Sequence, residues 1–455
     1  MSYSKEDFGD SFQWGVSTAA YQIEGGHDAH GKGSSIWDEF VKSKGKIQDG
    51  THANVTCNHY EHLAEDVGII SRLNISNYRF SLSWSRIFPE GIGKVNEAGV
   101  AFYNRLIDEC LANNITPWVT LYHWDLPLAL ELKGGWTDRE VLNWFEEYVT
   151  FCVRTFGDRV KNWMILNEPM VFTGAGYFLG YHAPGKKGLN NFIPAMHHAA
   201  LSQSLGGRIV RDELPEAKIG TTFSCSHVVP NSDNEKDIAA AKRFDALLNR
   251  LYIEPALGLG YPVDDLPIAS RVEKFLHPQD ENNLPFNFDF IGVQNYTQEV
   301  VKHVWFVPYL QGQIVEAQKR NVSTTTMGWE VSPISIYHML KKYSQYENAP
   351  ELMVTENGAA FPDVVEENKI KDVERTKFLQ AYIKEVLRAK KEGVNVNGYF
   401  IWTLMDNFEW AEGYKPRFGL VHTDFETQKR TIKDSGFWYS RFLKSAKVHS
   451  ALEVG

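Results

Sequence analysis

The sequence predicts an α/β protein, a single (β/α)8 TIM barrel with elaborated βα loops, and three observations carry that expectation. Short apolar, β-capable runs alternate along the chain with amphipathic runs of helical period, which is the pattern of a parallel α/β fold. The strand-then-helix unit recurs eight times, which favours a closed barrel over an open doubly wound sheet. No Gly/Ser/Pro linker and no shift in composition interrupts the alternation, so residues 1–455 read as one domain.

In chain order the strands fall at 12–18, 77–83, 117–122, 163–167, 219–223, 290–295, 352–355 and 398–404. Each is an apolar run closed by polar residues, a glycine or a proline. Between and after them lie helical patterns at 59–73, 97–113, 139–156, 192–212, 238–257, 333–346, 373–391 and 433–444. In 139–156, for example, Leu142, Phe145, Tyr148, Val149 and Cys152 fall on one face, with Glu146 and Glu147 elsewhere. Two connections, 297–332 and 405–432, are too long for simple βα turns. They carry Trp305, Trp329, Phe408, Trp410, Tyr414 and Phe418, which points to the lining of a cleft rather than to disorder.

Composition excludes several classes of function. The net charge of −10 and the pI near 5.9 argue against a nucleic-acid partner, which requires a basic face. No 18-residue apolar run predicts a membrane span, and MSYSKEDFGD lacks the apolar core of a secretory signal, so a cytoplasmic protein is expected. Cys57, Cys110, Cys152 and Cys225 form neither a C-x-x-C pair nor a regular spacing and read as reduced, buried thiols. Gly-rich stretches such as Gly31-Lys-Gly33 and Gly174-Ala-Gly176 lack the spacing of a nucleotide cradle. Asn295-Tyr296-Thr297 is a glycosylation sequon placed where a glycan would block the expected cleft. Neither a metal nor a cofactor is expected.

In a (β/α)8 barrel the chemistry sits at the C-terminal ends of the strands, so the residues closing each apolar run form one candidate set. That set is Gln22, Arg79, His123, Trp124, Asn167, Glu168, Asn295, Tyr296, Glu356, Trp402 and Glu409, and the long loops add Trp329, Trp410 and Phe418. Two members stand out. ELMVTENG delivers Glu356 from one buried strand and NWMILNEP delivers Glu168 from another, which brings two carboxylates to one cleft. Such a pair suits hydrolysis of a glycosidic bond, with one acid and one nucleophile or base. Amides, a histidine and flat aromatic rings suit a sugar, through hydrogen bonds to hydroxyls and contacts with its C–H faces. Taken alone, His123, Trp124 and Trp402 are equally well read as barrel packing.

The sequence resembles glycoside hydrolase family 1, the β-glucosidase family, over nearly its whole length. The matching segments are FQWGVSTAAYQIEG at 12–25, NYRFSLSWSRI at 77–87, TLYHWDLP at 120–127, NEP at 167–169, NY at 295–296, TENG at 355–358 and DNFEWAEGY at 406–414. The resemblance implies a retaining exo-β-glycosidase with Glu168 as acid/base and Glu356 as nucleophile, acting on small β-glucosides and short oligosaccharides. It implies that Gln22, His123, Asn167, Glu409 and Trp410 hold the terminal sugar and that Arg79 and Tyr296 flank the nucleophile. Trp402 becomes a stacking platform and Phe418 part of the pocket wall. Met170 after N-E-P and Thr297 after N-Y depart from the pattern of many members and bear on the entrance. Glu409, where members acting on 6-phosphosugars carry Ser, implies an anionic acceptor that repels phosphate. A catalytically silent sugar-binding protein and a mainly transglycosylating enzyme are the alternatives. Oligomeric state and the preferred aglycone are left open.

Overall fold

A computed structural model describes residues 3–367 and 369–444. Eight parallel strands close into a barrel in the order of the chain, β1 Gln13–Ser17, β2 Asn77–Ser81, β3 Thr116–Tyr122, β4 Asn162–Asn167, β5 Lys218–Ser224, β6 Phe290–Gln294, β7 Glu351–Asn357 and β8 Val396–Trp402, with β8 pairing back to β1. All eight coincide with the expected strands to within a few residues. The main helices pack outside: α1 His59–Arg72, α2 Glu97–Ala112, α3 Val141–Phe156, α4 Leu189–Glu213, α5 Glu235–Asp245, α6 Ile334–Tyr343, α7 Val373–Lys391 and α8 Asp434–Lys444.

The strands are buried on both faces, which is why they read as apolar runs rather than as alternations. Outward residues such as Ile291 and Val293 join the large core beneath the helices. Inward residues Trp118, Met164, Phe290, Met353 and Phe400 form a separate plug inside the barrel. Small residues make room for that plug: a Cβ on Gly15 would lie 2.3 Å from the Phe400 ring, and one on Gly220 would lie 2.4 Å from Phe290. The plug closes the barrel below and leaves the polar strand ends above it as the floor of a site.

The expected helix at 238–257 is corrected. Helix α5 begins earlier, where Asn234 caps it by accepting the Lys236 N–H at 2.8 Å, and ends at Asp245. A π-turn, Ala246–Arg250, follows, and Pro255 sits in a separate short helix, Ile253–Ala256. Asn249 within the π-turn bonds both the N–H and the carbonyl of Ser226, so the helix is pulled out of α geometry to hold the loop after β5. The long loops also contain structure that apolar patterning did not signal. Strands His227–Pro230, Gln298–His303 and Gly312–Ile314 form a small sheet, and Val421–Thr423 pairs with Arg430–Ile432.

Candidate active site

The two carboxylates reach the barrel mouth by different backbone devices. Asn167 ends β4, and Glu168 then turns out of the strand in a left-handed conformation, φ 47°, that non-glycine residues rarely adopt. Its N–H donates to the Thr222 carbonyl at 3.0 Å, and Pro169 opens a short helix, so both neighbours hold the turn in place. On β7 the register against β6 slips between Val354 and Glu356. That irregularity turns Glu356 toward the barrel axis.

Three donors surround Glu356. Arg79 and Gln294 donate to Oε1, the latter at 2.9 Å, while the Tyr296 hydroxyl donates to Oε2 at 2.7 Å. Arg79 is fully buried and also donates to Asn167 Oδ1, so one guanidinium ties β2 to β4 and β7. Asn167 Oδ1 is therefore an acceptor, which leaves Asn167 Nδ2 donating to His123 Nε2 at 3.0 Å. His123 must then carry its proton on Nδ1. Burial and the Arg79 charge hold its pKa well below the usual imidazole range, so the ring is neutral.

Burial pushes Glu168 well above the usual carboxyl range, the charge of Glu356 raises it further, and Arg79 opposes the rise. Burial also raises Glu356, but Arg79 and the Tyr296 hydrogen bond pull it back. Both carboxyls are raised, and Glu168, with the larger rise, is the one that more readily keeps a proton.

The remaining expected residues divide into two groups. Gln22 Nε2 is bonded to the Phe408 carbonyl at 2.9 Å, to Asn407 Oδ1 at 3.1 Å and to Glu409 Oε2 at 3.3 Å. Its Oε1, like His123 Nδ1, is buried without a protein partner among the described residues. Buried polar atoms of this kind are ordinarily satisfied, so they are the groups a polar ligand would engage. Trp402 and Trp410 both stand nearly parallel to the His123 ring, with ring centroids 5.9 and 6.0 Å away. Tyr296, Trp329, Trp402 and Phe418 share one aromatic cluster at the mouth.

Several expectations need correction. Trp124 is buried, and its indole N–H donates to the Asn167 carbonyl at 2.8 Å while its ring packs on Trp410. Asn295 faces away: its Nδ2 donates to the carbonyls of Cys225 and Thr297, and its Oδ1 accepts from Ser335 of α6. Gln294, one residue earlier, holds the inward position. The period-2 alternation of a strand places Gln294 on the same face as Phe290 in the plug, a signal that was available in the sequence. Trp305 stands 78% exposed on the tip of the hairpin between Gln298–His303 and Gly312–Ile314. Phe408 is core, and the Tyr414 hydroxyl bonds the His52 carbonyl. Burial and the Glu356 charge push Glu409 up to about 8, so it is not a fixed anion at neutral pH.

A second buried charge cluster holds the loop that carries Glu409, Trp410 and Phe418. Lys433 Nζ lies 2.7 Å from both Asp406 and Asp363, and Asp406 Oδ1 also accepts the Gly419 N–H at 2.9 Å. Arg375 adds bonds to Asp372 at 2.8 Å and to the Arg417 carbonyl. Asp363, Asp406 and His422 have the spacing of metal ligands. The Lys433 ammonium already supplies the positive charge between the two carboxylates.

Comparison with known proteins places the chain in a class. The model of glycosyl hydrolase family 1 matches residues 4–448, and the chain belongs to that family. It is thus a glycoside hydrolase. The chain is 43% identical over 440 residues to a protein named Beta-glucosidase A from Thermotoga maritima, covering 96% of this chain and 98% of that one. It is also 43% identical to a 1,4-beta-D-glucan glucohydrolase from Thermotoga neapolitana, with the same coverage. The solved structure of the family 1 b-glucosidase from Thermotoga maritima superimposes with a TM-score of 0.93 at 43% identity, covering 96% of this chain and 98% of that chain. The structure of that enzyme in complex with deoxynojirimycin gives 0.91 at 42% identity, with the same coverage.

Proposed function

We propose that the protein is a retaining exo-β-glucosidase that removes terminal β-D-glucosyl residues from aryl and alkyl β-glucosides and short cello-oligosaccharides, with Glu356 as nucleophile and Glu168 as acid/base. The observation that carries this reading is the unequal setting of two buried carboxyls. Arg79, Gln294 and Tyr296 hold Glu356 as an oriented carboxylate, while Glu168 keeps its proton. In the first step the Glu356 carboxylate bonds to the anomeric carbon as the bond to the aglycone oxygen breaks, and Glu168 gives its proton to that oxygen. In the second step water attacks the same carbon, its proton passes to Glu168, and the electron pair of the broken ester bond returns to Glu356.

Binding of the sugar falls to the unpartnered Gln22 Oε1 and His123 Nδ1, to Asn167 and Glu409, and to the faces of Trp402 and Trp410. Trp329 and Phe418 form the wall on the aglycone side. A cytoplasmic setting belongs to the same reading. It is supported by four buried, separate thiols and by the sequon amide of Asn295, which is wholly occupied by hydrogen bonds inside the fold. Among the described residues no helix is long and apolar enough to cross a membrane.

The nucleophile is tested with Glu356→Ala. Turnover should fall to a trace, and azide or formate should restore it on an activated aryl glucoside, giving an α-glucosyl product by attack from the vacated side. Substantial unaided activity would remove Glu356 from the role.

A further inference from the structure

Gln294 is assigned no part in the two-step reaction above beyond contact with Glu356, yet its geometry is more specific than support. Its Nε2 lies 2.8 Å from Asn167 Oδ1, 2.9 Å from Glu356 Oε1 and 3.2 Å from Thr222 Oγ1. The amide cannot be turned over, because a carboxylate only accepts and Asn167 Oδ1 already accepts from Arg79. The two N–H groups therefore serve Glu356 and Asn167. Oε1 of Glu356 consequently receives two donors, Arg79 and Gln294, whereas Oε2 receives only Tyr296. The lone pair left open is on Oε2.

We propose that Gln294 is a positioning residue that selects Oε2 as the attacking atom and favours the second step over the first. This rests on Glu356 being the nucleophile. When Oε2 bonds to the anomeric carbon the carboxylate loses its charge, so a donor that favours the charged form holds back the attack. When the ester bond breaks, the charge returns to Glu356 and the same donor helps it leave. A neutral amide does this without adding a second cation beside Arg79, and its other N–H keeps Asn167 aligned with His123. Losing the donor shifts the balance of the two steps, whereas general loosening of the site slows both.

The test is the ratio of the two rate constants in Gln294→Met, which keeps the chain length and removes the N–H, read in parallel with Gln294→Leu. A 2-deoxy-2-fluoroglucoside with an activated leaving group traps the covalent enzyme. Its inactivation rate reports the first step, and recovery of activity after removal of excess reagent reports the second. Burst amplitude with a dinitrophenyl glucoside counts the competent sites, so a partly misfolded sample does not distort either constant. The ratio of the second step to the first should fall by about 3- to 30-fold in each variant, below the full loss of a bond to a charged group because the charge is only partly developed in each transition state. The half-life of the trapped enzyme should lengthen accordingly. An unchanged ratio, with both steps slowed alike, would overturn the proposal while leaving the nucleophile in place. A fluorosugar label found in the wild type on a peptide other than the one containing Glu356 would overturn the nucleophile reading and this one with it.

Discussion

At the scale of single residues, the two glutamates were legible because a buried strand ending in a charge is an exception to its own pattern, and Glu168 and Glu356 are such exceptions. Removing Glu168 should hurt most where the departing oxygen needs a proton. Glu168→Ala is expected to lower cellobiose hydrolysis by about 1,000-fold or more while leaving bond cleavage of a dinitrophenyl glucoside within about 10-fold of wild type, measured by stopped-flow kinetics. Its pH profile should change in a defined direction. The raised pKa of Glu168 keeps the acid form available above the ordinary carboxyl range, and activity is lost as pH rises through that value. The variant should therefore lose the alkaline limb of kcat/KM and keep the acidic limb set by Glu356. Equal losses on both substrates would contradict the assignment.

Glu409 is a residue whose identity was readable but whose charge was not, since burial and the nearness of Glu356 exist only in the folded chain. Folding raises this carboxyl from 4.5 to about 8, so the folded protein retains a proton that the unfolded chain has lost. The group costs stability from its ordinary pKa upward, and the cost is complete above about pH 8. Glu409→Gln should leave Tm unchanged near pH 4 and raise it by about 2–4 °C at pH 8, followed by scanning calorimetry. The same variant should raise KM for glucosides by about 10-fold above pH 8, where Glu409 is a charged acceptor, and by less at pH 7. Because Glu409 is mostly neutral in the free pocket at pH 7, rejection of 6-phosphoglucosides should strengthen as pH rises toward 9. Nearby cations do not offset this, as Arg417 is held by Asp406 and the Thr423 carbonyl and Lys415 is exposed.

At the scale of elements, the strands were legible and the devices that aim them were not. The register slip before Glu356 and the π-turn at Ala246–Arg250 leave no apolar signature, because both are responses to bonds with distant residues. Asn295 and Gln294 show how one residue of parity decides the matter: adjacent amides at the end of β6 point to the helix layer and to the barrel interior. The loop after β8 is governed by a lysine some 27 residues beyond Asp406 in sequence, in a pairing that spacing does not reveal. Lys433→Met removes the cation shared by Asp363 and Asp406, leaving only the longer contacts of Arg375 with Asp363 at 3.3 Å and of Arg417 with Asp406 at 3.5 Å. The expected cost is about 3–5 kcal/mol of stability by denaturant titration, together with weaker sugar binding through Glu409 and Trp410. A variant as stable as wild type would show that the cluster does not hold this loop.

At the scale of the whole molecule, the barrel follows from one repeated fact, an apolar strand followed by an amphipathic helix, and its closure puts every strand end at one mouth. That closure joins residues as far apart as Gln22 and Glu409 or Arg79 and Glu356 without any local motif linking them. The central claim is that this mouth cleaves by double displacement at Glu356, which fixes the stereochemistry of the product. Proton NMR of the wild-type enzyme acting on an aryl β-glucoside, recorded before mutarotation, reads it directly. The account predicts that β-glucose appears first and the α anomer grows in later as the mixture equilibrates; α-glucose as the first product would contradict it.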